Sequence, residues 1–265
     1  MAERILFDRV TKRFRPSRGG PEVTALEGLS LGIADRSFVC LVGPSGCGKS
    51  TLLNLLAGFE TPTDGGVLLD GRPVRGPAPD RGVVFQEAAL FPWLTVMGNV
   101  CYGPQRRGIA RDVYVPAARA LLAQVGLGRF GDSYPHELSG GMRQRTAIAR
   151  ALVNDPEVLL LDEPFGALDA QTRSLMQELL LDVWERQQRT VLFVTHDVEE
   201  AVFMADRVIV MSRPPGRIMA DIPIDLPRPR SFEVLTTPAF TDFKRAVLAL
   251  VRQEARAVAG VEELH

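Results

Sequence analysis

Lysine is almost missing from this chain. Of its 31 basic side chains only Lys12, Lys49 and Lys244 are lysine, and arginine supplies the rest. Cysteine is as scarce. Cys40, Cys47 and Cys101 are too few and too scattered for a disulfide framework, which excludes a small secreted scaffold and points to a reducing compartment. No apolar run reaches the ~18 residues that a membrane-spanning helix needs. The opening stretch, MAERILFDRV, carries charges and no apolar centre, so it does not read as a signal peptide. An excess of one charge is lacking too. The net charge of −1 gives no overall basic surplus for a phosphate backbone, so no nucleic-acid partner is expected. Internal repeats and low-complexity segments are also absent. What remains is a cytosolic globular protein, whose 46% apolar and 24% charged residues are ordinary for that class. Its 265 residues suit one large domain, or a domain with a subdomain.

The patterns that are present alternate between strand and helix. ILFDRV and VTALEGLSLGI read as strands separated by a Pro/Gly/Arg loop at 15–21, and Asp70-Gly71 marks a hairpin. SFVCLVG, RGVVFQ, EVLLLDEP, TVLFVTH and RVIVMS are short apolar runs suited to buried strands. Helical stretches are expected at 49–57, 170–187, 197–205 and 239–258, with Asp197 and Glu200 as a capping signature. Residues from about Ala88 to Leu152 are helix-prone but broken by Pro and Gly, which predicts a helical subdomain. Strand alternating with helix argues for a parallel sheet covered on both faces.

One of the three lysines stands in GPSGCGKST, Gly43 to Thr51, between a predicted buried strand and a predicted helix. Gly43, Pro44, Ser45, Gly46, Cys47, Gly48, Lys49 and Ser50 fit the pattern G-x-x-x-x-G-K-S/T. Glycines let backbone N–H groups turn inward around a phosphate, and the helix adds its positive end. A compact ammonium reaches the β- and γ-phosphates where a planar guanidinium fits poorly. Ser50 offers a hydroxyl to Mg²⁺ and Thr51 supports the same phosphates. The bland alternative is a glycine-rich turn before a helix. The glycine spacing, G-x-x-G-x-G, is not that of a dinucleotide site. Cys47 is either a small filler or, near a helix N-terminus, a thiol of lowered pKa that a thiol reagent attacks and ATP protects.

LLLDEP ends a predicted buried strand with Asp162 and Glu163. At the carboxyl edge of a parallel sheet, Asp162 suits a Mg²⁺ ligand and Glu163 a group that orients and polarises water. Two charges at a strand–loop boundary are the plainer alternative. In ELSGGMRQR, Ser139 is a good N-cap and Gly140 and Gly141 leave N–H groups bare at a helix start. On those residues alone it is either a capped helix or a second anion site.

Taken in order, these segments resemble the ATPase subunit of an ABC transporter along nearly the whole chain. GPSGCGKST matches Walker A, Gln86 in VFQE the Q-loop, LSGGMRQR the signature, and LLLDEP Walker B. GALD at 166–169 matches the D-loop, His196 in VTHD the switch histidine, and Phe14 the aromatic that stacks on adenine. Met142 departs from the commonest signature, which has Gln there. By themselves Phe14 suits the core, His196 a strand edge, and Gln86 is unremarkable; their roles are what the resemblance implies. It implies an α/β P-loop NTPase fold: a mainly parallel core sheet, an N-terminal antiparallel β-subdomain and an inserted helical subdomain. It further implies an ATPase domain over 1–226 with the helical part near 88–152, and a Pro/Arg-rich segment and helix over 227–265. Catalysis would fall to Glu163, His196 and Gln86, with Ser50, Gln86 and Asp162 on Mg²⁺. Ser139, Gly140 and Gly141 would close on the γ-phosphate of a second copy in a homodimer.

SRPPGRI and LPRPRS look like features of the nitrate, sulfonate and taurine importer ATPases. The implied partners are integral membrane permease subunits and, indirectly, an extracytoplasmic solute-binding protein, with this chain peripheral on the cytoplasmic face. Phe91, Pro92 and Trp93 are either core residues or anchors for the permease. The chain after about Asp221 is too short for a large regulatory domain. The alternative is a soluble ABC ATPase acting on nucleic acid or ribosomes, but no sustained heptads lie between 52 and 137 and only one cassette is present. A P-loop kinase would leave LSGGMRQR unexplained.

Overall fold

The structure, a computed structural model, describes residues 3–15 and 20–258. Most of the predicted 15–21 loop and the end of the 227–265 segment lie outside the described residues. The chain divides into two compact units, 1–78 with 190–265, and 79–189. In chain order the first unit begins with β1 (Glu3–Phe14), β2 (Val23–Ala34), β3 (Phe38–Val42), α1 (Lys49–Ala57), β4 (Asp64–Leu69) and β5 (Arg72–Pro73). The second holds β6 (Arg81–Val84), α2 (Val96–Arg106), α3 (Arg111–Gln124), α4 (Gly140–Leu152), β7 (Val158–Asp162) and α5 (Ala170–Gln187). β8 (Thr190–Val194), α6 (Val198–Met204), β9 (Arg207–Met211), β10 (Ile218–Pro223) and α7 (Pro238–Val258) complete the first.

In the first unit, β2, β1, β4 and β5 form an antiparallel sheet. Asp70 and Gly71 make its predicted hairpin, both at positive φ, 49° and 72°, as a type I′ turn requires. A second set runs β10-β9-β3-β8, with β3 parallel to both β8 and β9. Every residue of β3 and β8 is buried, which explains why these strands read as continuous apolar runs rather than alternating ones. Each buried Val, Leu or Phe there contributes about 1.5–3 kcal/mol. β10 was not predicted. It pairs antiparallel with β9 at the edge, and its residues alternate between half-buried and exposed, too polar a pattern to stand out.

The tail packs on its own unit. Phe240, Val247 and Glu254 form a buried stripe along α7, two helical turns apart, against α6 and β9. Arg230, in LPRPRS, is buried and donates to the carbonyls of Val202, Phe203, Ala205, Ile224 and Leu226, at 2.7–3.4 Å. Three of those acceptors are at the end of α6, where helix carbonyls have no partner of their own. Phe232 stacks on Phe203 with ring centres 4.9 Å apart.

In the second unit β6 and β7 are parallel, with Val84 beside Leu161, and α2, α3 and α4 pack on one another. Helix begins only at Val96. The preceding turn is knotted by buried Asn99, which accepts from Phe91 N at 2.8 Å and donates to Phe91 O, Leu94 O and Thr95 O at 3.0–3.1 Å. Among the described residues no helix is long and apolar enough to cross a membrane.

Candidate active site

Leu41 of β3 lies beside Val194 of β8, so Gly43 and His196 each leave the sheet two residues past that pair. Thr195 N donates to Leu41 O at 3.2 Å and holds the two exits together. This is the carboxyl edge, where open α/β sheets bind ligands. His196 is exposed, and the helix behind it is fixed by Asp197, whose side chain accepts from Glu199 N and Glu200 N.

Between Gly43 and Thr51 the chain turns into α1. Gly48 is the N-cap at φ 94°, a conformation a β-carbon disfavours. No side chain caps α1, and no acidic residue stands in its first turn, so its leading N–H groups suit an anion. Lys49 is buried within the loop, its Nζ donating to Gly43 O and Pro44 O at 2.9 Å each. Ser45, Gly46 and Ser50 are exposed; Pro44 and Thr51 are half-buried. The loop is thus a backbone-lined cradle around one ammonium, and it fits a polyphosphate.

Cys47 corrects one expectation. Its side chain is fully buried, and burial pushes the thiol above its ordinary value although the Lys49 ammonium beside it pulls the other way. Desolvation of the thiolate outweighs the nearby charge. Cys47 therefore fits a small buried filler of the loop rather than a thiol of lowered pKa.

Phe14 ends β1 with 38% of its surface exposed. Lys12 Nζ lies 4.8 Å from the ring centre and is itself held by Glu60 Oε2 at 2.7 Å. The ring is therefore reachable from solvent, not part of the core, and suited to stacking.

In the second unit Gln86 and Glu163 each follow the paired Val84 and Leu161 by two residues. They meet: Gln86 Nε2 donates to Glu163 Oε2 at 3.2 Å. Glu163 sits at φ 44°, a left-handed conformation uncommon for a residue with a side chain, which re-aims it as the strand ends. Asp162, half-buried, is the last residue of β7. Ser50 in the first unit offers a hydroxyl, and Gln86 and Asp162 in the second offer an amide oxygen and a carboxylate; each is a hard oxygen donor of the kind Mg²⁺ takes. Among the described residues no group of three or more His, Cys, Asp or Glu gathers to hold a metal alone.

Ser139 caps α4, accepting from Met142 N at 3.2 Å. A β-carbon on Gly141 would come within 3.1 Å of Leu168 Cδ2, so the signature helix packs tightly on the 166–169 loop. Asp169 caps α5; hydrogen bonds from Thr172, backbone first and then hydroxyl, hold its carboxyl below the usual range.

Three residues escaped the sequence reading. Gln144 is buried in α4 and donates to Phe85 O at 2.9 Å, joining the signature helix to the segment that carries Gln86. Asn99 knots the turn that presents Trp93, and Trp93 is 70% exposed. Arg150 donates to Ala88 O and Ala89 O, and stands 5.9 Å from the Phe91 ring. A polar residue inside an amphipathic helix was the signal for the first two, but spacing alone does not distinguish it from a solvated face.

The family description "ABC transporter" matches residues 26–166. The chain is 47% identical to a nitrate import ATP-binding protein, NrtD, of Synechocystis over 248 residues, covering 90% of this chain and 93% of that one. It is 46% identical to a taurine import ATP-binding protein, TauB, of Rhizobium johnstonii, with 90% and 93% covered. A dimeric ATP-binding cassette solved in a post-hydrolysis state with ADP and phosphate superposes with a TM-score of 0.74 at 32% identity, over 86% of this chain and 100% of that one.

Proposed function

The chain belongs to the ABC transporter family and is an ATPase, and from that premise we propose that it powers import of a solute through a separate membrane permease. The observation that carries the permease is a surface of the second unit. A cavity of about 400 Å³ opens there, lined among others by Phe85, Phe91, Tyr102 and Arg150. Phe91 lies 5.5 Å from Trp93 and 4.6 Å from Tyr102, ring centre to ring centre. Half-exposed aromatics around a cavity, held on a turn that Asn99 makes rigid, suit the anchoring of a partner segment. Relatives named for nitrate and taurine import support the direction of transport, and they favour it over action on nucleic acid or ribosomes.

The working parts are assigned as follows. Residues 1–226 form the ATPase domain, with 227–265 as its C-terminal segment. Backbone N–H groups of Gly43–Thr51 and the Lys49 ammonium hold the triphosphate, and Phe14 stacks on adenine. Ser50, Gln86 and Asp162 would hold Mg²⁺, whose chemistry is to neutralise charge on the phosphate oxygens. Glu163 orients a water and takes its proton as the water oxygen bonds to the γ-phosphorus and the bond to ADP breaks. His196 positions the γ-phosphate. Ser139, Gly140 and Gly141 close on the γ-phosphate held by a second copy, so two chains clasp two ATP molecules and part after hydrolysis. A permease would hold the assembly at the cytoplasmic face of the membrane.

Lys49→Ala tests the triphosphate site. Its ATPase rate is expected to fall by about 100-fold, as when a preorganised charge is removed from a phosphoryl-transfer site. An unchanged rate would remove Lys49 from the site. Co-purification with a polytopic membrane protein tests the permease; sedimentation with ribosomes or nucleic acid instead would overturn it.

A further inference from the structure

The phosphate cradle rests on a loop whose sequence, SRPPGR, has no part in the assignment above. Residues 212–217 join β9 to β10. Gly216 N donates to Ala25 O at 2.9 Å, and Glu27 N donates to Gly216 O at 3.2 Å, so Gly216 adds a short bridge beside β2. Gly216 also lies directly behind the cradle: a β-carbon there would stand 2.1 Å from Cys47 O. Two further points of the cradle are backed in the same way. A β-carbon on Gly43 would be 2.8 Å from Met211 O, and one on Gly48 would be 2.6 Å from Leu26 Cδ2 and 2.9 Å from Ala25 O. Backbone carbonyls therefore stand close behind Gly43, Cys47 and Gly48, with the Leu26 side chain packed beside Gly48 and Gly216.

The loop is in turn held from two sides. Ser212 closes it internally, its Oγ donating toward Arg213 O and Pro215 O and accepting from Arg217 N at 3.0 Å. From outside, Arg213 N donates to Glu254 Oε2 of α7 at 2.7 Å. Glu254 is only 7% exposed. A buried carboxylate is costly unless it is used, and a charge-assisted bond to a loop N–H is a use. It stands on the same buried stripe as Phe240 and Val247, so its position is fixed by the docking of the whole helix.

We propose that Glu254 is a positioning residue for the phosphate cradle: it fixes the 212–217 loop, and the loop fixes the backbone of Cys47. The C-terminal helix thereby sets how tightly the chain holds a nucleoside triphosphate. This rests on the reading of Gly43–Thr51 as the triphosphate site.

The test uses the full chain and compares Glu254→Ala with Glu254→Gln, whose amide oxygen still accepts from Arg213 N. MgATP affinity is measured by titration calorimetry, beside KM and kcat. Glu254→Ala is expected to weaken binding and raise KM about fivefold to tenfold with kcat within about twofold, and Glu254→Gln to stay within about twofold in both. Gly216→Ala should weaken binding further than Glu254→Ala; if it does not fold, the Glu254 pair decides. Glu254→Ala binding as tightly as the unaltered chain would overturn the proposal. So would Glu254→Gln losing as much as Glu254→Ala, or a loss in kcat with KM unchanged. Failure of the underlying site looks different: the unaltered chain would not bind MgATP, or Lys49→Ala would bind it as well.

Discussion

At the residue scale, the one lysine among the glycines is explained by what surrounds it. Lys49 is buried with two backbone carbonyls and a neutral thiol around its charge. That arrangement calls for a compact ammonium. The same burial decides Cys47. Native protein treated with iodoacetamide at pH 8 should label Cys47 at least about tenfold more slowly than urea-unfolded protein, read by peptide mass spectrometry. Rapid native labelling blocked by ATP would restore the reactive-thiol expectation. The folded thiol holds its proton above the ordinary value of 9.0, so its contribution to stability is complete below that pH and is lost as pH rises toward the raised value. Glu163 is a second residue whose setting matters, since its left-handed backbone and its bond from Gln86 aim the carboxylate. Glu163→Gln keeps the shape, so it should bind ATP normally yet turn over at most about one hundredth as fast. Normal turnover would deny Glu163 the role of base.

At the scale of elements, the Phe91–Thr95 turn shows what a single buried polar side chain does. Asn99→Ala strips four hydrogen bonds from backbone groups of that turn and should destabilise the second unit by about 2 kcal/mol in urea unfolding. A stability unchanged within error would mean that the turn holds itself. Much of this scale was legible beforehand. α5 has the bounds its pattern predicted, Ala170–Gln187, and Asp70-Gly71 turns where its dipeptide said. β3, β7, β8 and β9 were plain because strands buried on both faces are apolar throughout. β10 was hidden because an edge strand needs no such run. The role of LPRPRS was hidden because an arginine that caps α6 looks, in sequence, like an arginine in water. The residues proposed to hold phosphate announce themselves through glycine spacing. Gln144, Gly216 and Glu254, proposed to brace the site, make bonds to backbone distant in sequence, and no local pattern records that.

At the scale of the whole molecule, each unit carries part of the proposed machinery: Phe14, the cradle and His196 in one, Gln86, the signature, Asp162 and Glu163 in the other. The central claim is that the signature serves a second copy, so that ATP joins two chains and hydrolysis parts them. The most direct measurement is light scattering of Glu163→Gln with and without MgATP. With MgATP the mass should be twice that of one chain, and it should return to one chain when nucleotide is removed; a further Ser139→Arg change should keep it at one chain throughout. A Glu163→Gln protein that binds ATP fully and stays a single chain would contradict the account.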